Sequence, residues 1–260
     1  SGYSPSANNW KIVNFNNHAY FYQKGHESLV YTDESGSGVL DNIGDHAHAT
    51  GTAPAGNEVL AAFGRLWVAD VVGNTYTLYF SDALNGHAWT GGSSGSLNVT
   101  SVWPNGQDDI VALASQNNFL IIFGKRNILV YEGATDPSEM TLSDTIVGIG
   151  CIARDSVQNI GSDILFLSDT GVRSLGRTIQ EKSMPMRDLS KNVRDDMMQT
   201  VRSEITGKIK SVYSPENAFY LLSLPTSNVV FCFDTRSPLE DGSFRVTTWP
   251  NIDIRSFHRT

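Results

Sequence analysis

Short apolar runs rich in strand-forming residues alternate along this chain with clusters of Gly, Asn, Ser and Asp, and the alternation repeats in a fixed order. The clearest copy lies between Gly161 and Arg177. Ile164 to Ser168 reads as a strand, Asp169-Thr170-Gly171 as a tight turn with a positive φ at glycine, and Val172 to Leu175 as the start of the return strand. A single hairpin cannot bury its apolar face in water, so it needs partners of the same shape. The chain supplies them at 10–32, 58–81, 110–131 and 208–233, each with a leading strand, a turn, a second strand, a turn and a return. Tyr20, Leu66, Leu120, Ile164 and Phe219 anchor the second strands and fall about 44 to 55 residues apart, close to the period of a four-stranded propeller blade.

The two longest intervals each hold an insertion: Gly91 to Ser96 in one, a helical stretch in the other. Ile252 to Phe257 reads as the leading strand of a further unit. The expectation is therefore an all-β chain, a β-propeller of about five to six blades closed by strands from both chain ends, with one inserted helix near residues 187–205. It is read as a single domain over 1–260, either processed or part of a longer chain. A β-sandwich with Greek-key connections competes but predicts no period.

In the inserted helix, Met186, Leu189, Val193, Met197 and Val201 recur at three- and four-residue spacings, and Pro185 marks the entry. The opposite face carries Asp188, Lys191, Asn192, Asp195, Gln199 and Arg202. Those six are the candidate subunit contacts, with simple packing of the helix on a blade rim as the other reading.

Charge narrows the function classes. Nineteen Lys and Arg face 27 Asp and Glu, a net charge of −8, which is not the basic footprint of a nucleic-acid binder. Cys151 and Cys232 lie in separate apolar runs without a CxxC spacing and read as buried free thiols. No run approaches the ~20 apolar residues of a membrane span, and the polar start lacks the regions of a signal peptide.

Candidate chemistry is sparse. Asp45-His46-Ala47-His48 sets two imidazoles and a carboxylate close together, but no third ligand motif accompanies them and the flanking Gly44, Gly51 and Pro54 describe a solvated loop; no metal or cofactor is assigned. Tyr79 to Trp89 resembles a stretched Asp-box turn of sialidase-type propellers, a structural device. Asp108-Asp109 and Asp195-Asp196 diverge as neighbours on a strand or helix must, and Arg65, Arg126, Arg154 and Arg173 have no spacing that marks a carboxylate-binding cluster. No catalytic residue is assigned. Trp89, Trp103 and Trp249 read as blade-packing aromatics, with sugar stacking the alternative.

One family resemblance follows from these residues. The series Gly148-Ile149-Gly150-Cys151, Ser156-Val157, Phe166-Leu167-Ser168 and Gly171-Val172-Arg173-Ser174-Leu175, then a polar helical segment and the Trp249-Pro250 and Arg255-Ser256-Phe257 ending, is similar to the propeller region of the tail nozzle (tubular tail protein B) of short-tailed bacteriophages. The resemblance covers roughly residues 110–260. It implies a non-enzymatic structural virion protein, located in the tail and assembled in the host cytoplasm. Its partners would be further copies of itself in a ring, with sixfold symmetry implied, and other tail proteins such as an adaptor. DNA would pass through the lumen without specific binding, and acidic lumen walls would suit that passage because they leave phosphates unneutralised. A carbohydrate- or receptor-binding propeller is the alternative, and a sialidase-like glycosidase a more distant one.

Overall fold

The computed structural model describes residues 9–33, 36–181 and 189–257. Five antiparallel sheets follow one another along the chain, each built from consecutive strands. The first holds β1 (Lys11–Phe15), β2 (His18–Tyr22), β3 (Leu29–Thr32) and β4 (Val39–Asn42); the second holds β5 (Gly56–Ala62), β6 (Arg65–Val71), β7 (Thr77–Phe80) and β8 (Gly95–Asn98). The third comprises β9 (Ile110–Gln116), β10 (Phe119–Gly124), β11 (Asn127–Glu132) and β12 (Thr141–Val147). The fourth has three strands, β13 (Gln158–Asn159), β14 (Ile164–Ser168) and β15 (Gly171–Ser174), and the fifth has β16 (Lys210–Ser214), β17 (Phe219–Leu224), β18 (Val229–Asp234) and β19 (Arg245–Pro250). Each sheet is a meander in which every strand pairs with its sequence neighbour, as blades require.

Burial grades across each blade. All five residues of β14 and five of the six in β10 and β11 are buried, so these strands are covered on both faces and read as continuous apolar runs. Outer strands β4 and β19 hold only exposed and half-buried positions. This gradient explains why the apolar run in the middle of each repeat was the strongest sequence signal.

The chain divides into two compact units, one of residues 1–124 with 129–144, the other of 125–128 with 145–260. In the first unit, Tyr20, Tyr22, Val30, Ile43, Val59, Leu66, Val68 and Trp89 form one buried cluster, and Trp67, Leu78, Leu120, Ile122 and Leu129 belong to another. In the second unit a large cluster joins Leu165, Leu167 and Val172 to Tyr220, Leu222, Phe231 and Phe233.

Three details depart from the sequence expectation. Residues 252–257 form no strand: β19 ends at Pro250, Asn251 takes a left-handed φ of 63°, and the following backbone is tied down by Ile252 N donating to Asn228 O and Ser223 Oγ donating to Ile254 O. The first and last sheets accordingly use strands from their own ends of the chain only. The return strand of the fourth blade stops at Ser174, and α1 (Leu175–Glu181) begins where Asp163 accepts hydrogen bonds from Ser174 Oγ and from Gly176 N, giving the new helix an acidic partner at its start.

The inserted helix is shorter than its apolar period, α2 running from Arg194 to Ser203. Leu189 is buried, but it belongs to a turn whose backbone is already engaged, Leu189 N donating to Val172 O while Leu189 O accepts from Phe244 N. Those bonds to neighbouring chain compete with helical ones, so the helix starts later. Met186 lies outside the described residues, and Met198 joins Met197 and Val201 on the buried face.

Candidate functional site

Within the first unit, three pieces of chain bring histidines together. His18 is the first residue of β2, facing Phe15 across the hairpin from β1. His46 caps a short 3-10 turn, Ile43–Asp45, that the core-buried Ile43 anchors and whose first N–H donates to Ser28 O at 3.0 Å. His87 sits in the tight turn that follows β7, where its N–H donates to Asn85 Oδ1 at 3.0 Å.

Backbone hydrogen bonds lock the last two together. Thr50 N donates to His87 O at 3.3 Å, and Trp89 N donates back to Thr50 O at 2.7 Å. The Asp82–Trp89 turn is itself closed by Asp82 N donating to Ala88 O, and Trp89 packs beneath it with its indole N–H on Gly86 O. Gly86 is required here: a Cβ at this position would lie 2.6 Å from the Tyr20 ring and 2.9 Å from Leu66. The stretch thus behaves as the hairpin brace its Asp-box likeness implies, and it also delivers an imidazole.

The result is a cluster in which one ring nitrogen from each of His18, His46 and His87 lies within 4.8 Å of the others. His46 and His87 stack face to face, centroids 3.7 Å apart and planes within 5°. His18 meets His87 edge-on at 5.1 Å, and the His48 ring lies 5.6 Å from His46. Tyr20, fully buried, places its hydroxyl 3.2 Å from His87 Nε2. The cluster opens onto a cavity of about 350 Å³ whose walls include Asn16, Asn17 and Leu84.

His87 is 4% exposed. Burial, reinforced by the neighbouring imidazoles of His46, His18 and His48, pushes its pKa down from 6.5 to about 3, so it stays neutral at physiological pH with a lone pair available. Burial likewise pushes the Tyr20 phenol far above its ordinary range, so its hydroxyl keeps its proton. Such a neutral imidazole with one nitrogen fixed by a phenol is the form in which histidine binds a metal ion.

Sequence reasoning singled out His46 and His48 and missed His18 and His87. Of the Asp45-His46-Ala47-His48 set, only His46 belongs to the ligand-distance group; His48 lines the cavity, and Asp45 accepts from Asn42 Nδ2 in its own turn. The partners of His46 come from other strands and turns, and no local spacing signals them. A histidine inside an Asp-box-like turn was the one available hint.

The six candidate contacts around the helix are placed unevenly. Asp188 lies outside the described residues. Lys191 and Asn192 precede the helix and are held by their own chain, Lys191 Nζ 3.1 Å from Asp241 and Asn192 Nδ2 donating to Ser243 Oγ at 2.9 Å. Asp195, Gln199 and Arg202 are exposed on α2.

Three of the four candidate arginines are structural braces, and Arg126 is exposed. Arg65, 2% exposed, donates to Ser81 O, Ser93 O and Thr135 O; Arg154 pairs with Asp155; Arg173 donates to Ser168 and Thr170 hydroxyls inside its own hairpin. Asp109 accepts from Thr75 Oγ1, and Asp195 and Asp196 are both exposed on α2. Trp89 and Trp103 are buried and belong to the blade cores, while Trp249 is half-buried in β19. Cys151 and Cys232 are buried and not joined in a disulfide, and burial pushes the Cys232 thiol pKa up.

Comparison with solved structures adds the architecture. The WD40 β-propeller domain of Doa1 superimposes with a TM-score of 0.52 at 9% identity, over 90% of this chain and 66% of that domain. The fold is a β-propeller. Kluyveromyces lactis Hsv2p matches with a TM-score of 0.50 at 10% identity, over 93% of this chain and 73% of that protein. This propeller thus spans slightly less than two thirds of the Doa1 domain. No protein-family model and no curated protein matches its sequence. Among the described residues, no helix is long and apolar enough to cross a membrane.

Proposed function

We propose that this propeller is a non-catalytic structural protein that works by assembly, as a ring component of a short bacteriophage tail through which DNA is ejected. The observation that carries the reading is how the resembling segment uses its side chains. In and next to the 149–175 stretch, Arg173 is committed to Ser168 and Thr170, Ser174 and Gly176 to Asp163, and Ser156 Oγ to Ala153 O and Leu167 N. Groups that a hydrolase would aim at a substrate hold a blade together here.

The exposed face of α2, with Asp195, Gln199 and Arg202, is the surface assigned to contacts with neighbouring copies. The net charge of −8 fits passage of DNA without retention, because sequence-independent affinity comes from neutralising phosphates. The copies would form a ring with sixfold symmetry, next to an adaptor, in the virion tail after assembly in the host cytoplasm.

Negative-stain electron microscopy of the purified chain, alone and mixed with its tail neighbours, tests this. Rings with a central channel, and no gel shift of duplex DNA at low salt, are the expected results. A monomer that saturably binds host glycans would replace it with the receptor-binding reading, which the cavity beside His18 favours. Sugar release from a polysaccharide panel would replace it with a glycosidase.

A further inference from the structure

We infer that His18, His46 and His87 form a binding site for a late first-row divalent transition-metal ion, with Zn²⁺ the ion of reference. The donor set decides the class of ion. Three imidazoles grouped without a carboxylate suit Zn²⁺, Co²⁺, Ni²⁺ or Cu²⁺, whereas Ca²⁺ and Mg²⁺ require oxygen ligands.

The second observation is the state of His87. Its Nε2 is 3.2 Å from the Tyr20 hydroxyl, and its Nδ1 is buried with no hydrogen-bond partner among the described residues. A buried polar atom left without a partner is costly and calls for an explanation. With Nε2–H donating to Tyr20 Oη, the tautomer that results carries a free lone pair on Nδ1. That is the arrangement in which an outer-shell oxygen orients a metal-binding imidazole.

Geometry then says what must move. Zinc–nitrogen bonds of roughly 2.0–2.1 Å in a tetrahedron put ligand nitrogens about 3.4 Å apart, so nitrogens that lie within 4.8 Å of one another need draw in by no more than about 1.4 Å. The stacked pair cannot remain stacked, because the in-plane lone pairs of two parallel imidazoles run side by side and do not meet at a point. His46 is the ligand that must turn away from the stack. It is half-buried at the end of a short turn, and the contact its Nδ1 receives from His48 N is a long 3.3 Å. His18 on β2 and His87 in its braced turn provide the fixed pair. The cavity leaves room for solvent in the fourth position. The ion would join the first blade, the 43–50 loop and the turn after β7 by bonds stronger than the hydrogen bonds now linking them.

The test uses the full chain without an affinity tag, stripped with EDTA and dialysed, titrated with Zn²⁺ by calorimetry and with Co²⁺ by visible spectroscopy. About one equivalent is expected, with a tetrahedral Co²⁺ spectrum lacking a thiolate band. His18→Ala and His46→Ala should each weaken Zn²⁺ binding by at least about tenfold, while His26→Ala, outside the cluster, leaves it unchanged. Zn²⁺ should raise the melting temperature of the native chain and not that of His46→Ala. Tyr20→Phe should weaken binding by about 10- to 100-fold, as loss of an outer-shell partner does. Because His87→Ala can disturb the core, His46→Ala carries the decision: binding unchanged in that variant, or no stoichiometric uptake by the native chain, overturns the site.

Discussion

Two buried tyrosines on second strands, Tyr20 in the first blade and Tyr220 in the fifth, solve the same problem differently. Each has 0% exposure and must find a partner for its hydroxyl. Tyr220 donates to the backbone carbonyl of Ser156 at 2.8 Å and packs against Phe233, whose centroid is 5.7 Å away. Tyr20 meets a side chain, His87, and the space beyond opens to a cavity. A carbonyl does not titrate and binds no transition metal ion here, so the Tyr220 site is purely cohesive. An imidazole does both, so the Tyr20 site couples stability to pH and to ions. The difference teaches that a buried tyrosine on the second strand of a blade can serve as core or as site, depending on what the neighbouring loop delivers.

The comparison can be broken first through its apolar side. Phe233→Ala should destabilise the chain by about 3–5 kcal/mol in chemical denaturation, the cost of a large cavity in a dense core. His87→Ala, beside an existing cavity, should cost clearly less. Equal losses would remove the distinction between a packed site and an open one.

Next comes hydroxyl deletion. Tyr220→Phe leaves the Ser156 carbonyl buried without this donor and should cost about 1–3 kcal/mol, the same at pH 5 and pH 8. Tyr20→Phe in metal-stripped protein should cost less at neutral pH, because His87 can hold either tautomer.

The third effect is the pH profile. His87 has a folded pKa of about 3, below its unfolded value of 6.5, so the unfolded chain binds more protons between those values. Its contribution to stability is complete above about pH 6.5 and is lost progressively as pH falls toward about 3. In metal-stripped protein, the slope of melting temperature against pH in that window should be smaller in His87→Gln than in the native chain. An unchanged slope would show that His87 does not carry this linkage.

The smallest expected effect lies on α2. Gln199→Ala should change stability by less than about 0.5 kcal/mol, as an exposed helical position does, while reducing the fraction of particles in rings. Loss of stability without loss of rings would place that residue in the fold and remove it from the interface.

The repeat was legible because blade strands near the centre are covered on both faces, so Ile164 to Leu167 and Leu120 to Phe123 must be apolar whatever surrounds them. The turns were legible for a similarly local reason: Gly171 takes a φ of 142° and Gly73 a φ of 79°, and a glycine between apolar runs announces that need. The start of α2 was not legible. Leu189 keeps the helical spacing in sequence, but its N–H and carbonyl bond to Val172 and Phe244, so tertiary partners override the local period.

By itself the sequence determined the class of fold, the order of the five blade units and the acidic balance, because these depend on local hydrophobic periods, turn residues and counts of charge; whether a sixth unit followed at 252–257 was left to the structure. Only the tertiary structure decided which polar side chains meet. His18, His46 and His87 converge because a buried Ile43, a Gly86 that admits the Tyr20 ring, and the reciprocal bonds between Thr50 and the His87–Trp89 segment bring separate blades into register. Proximity between residues so distant in sequence is a property of packing, and no spacing along the chain encodes it.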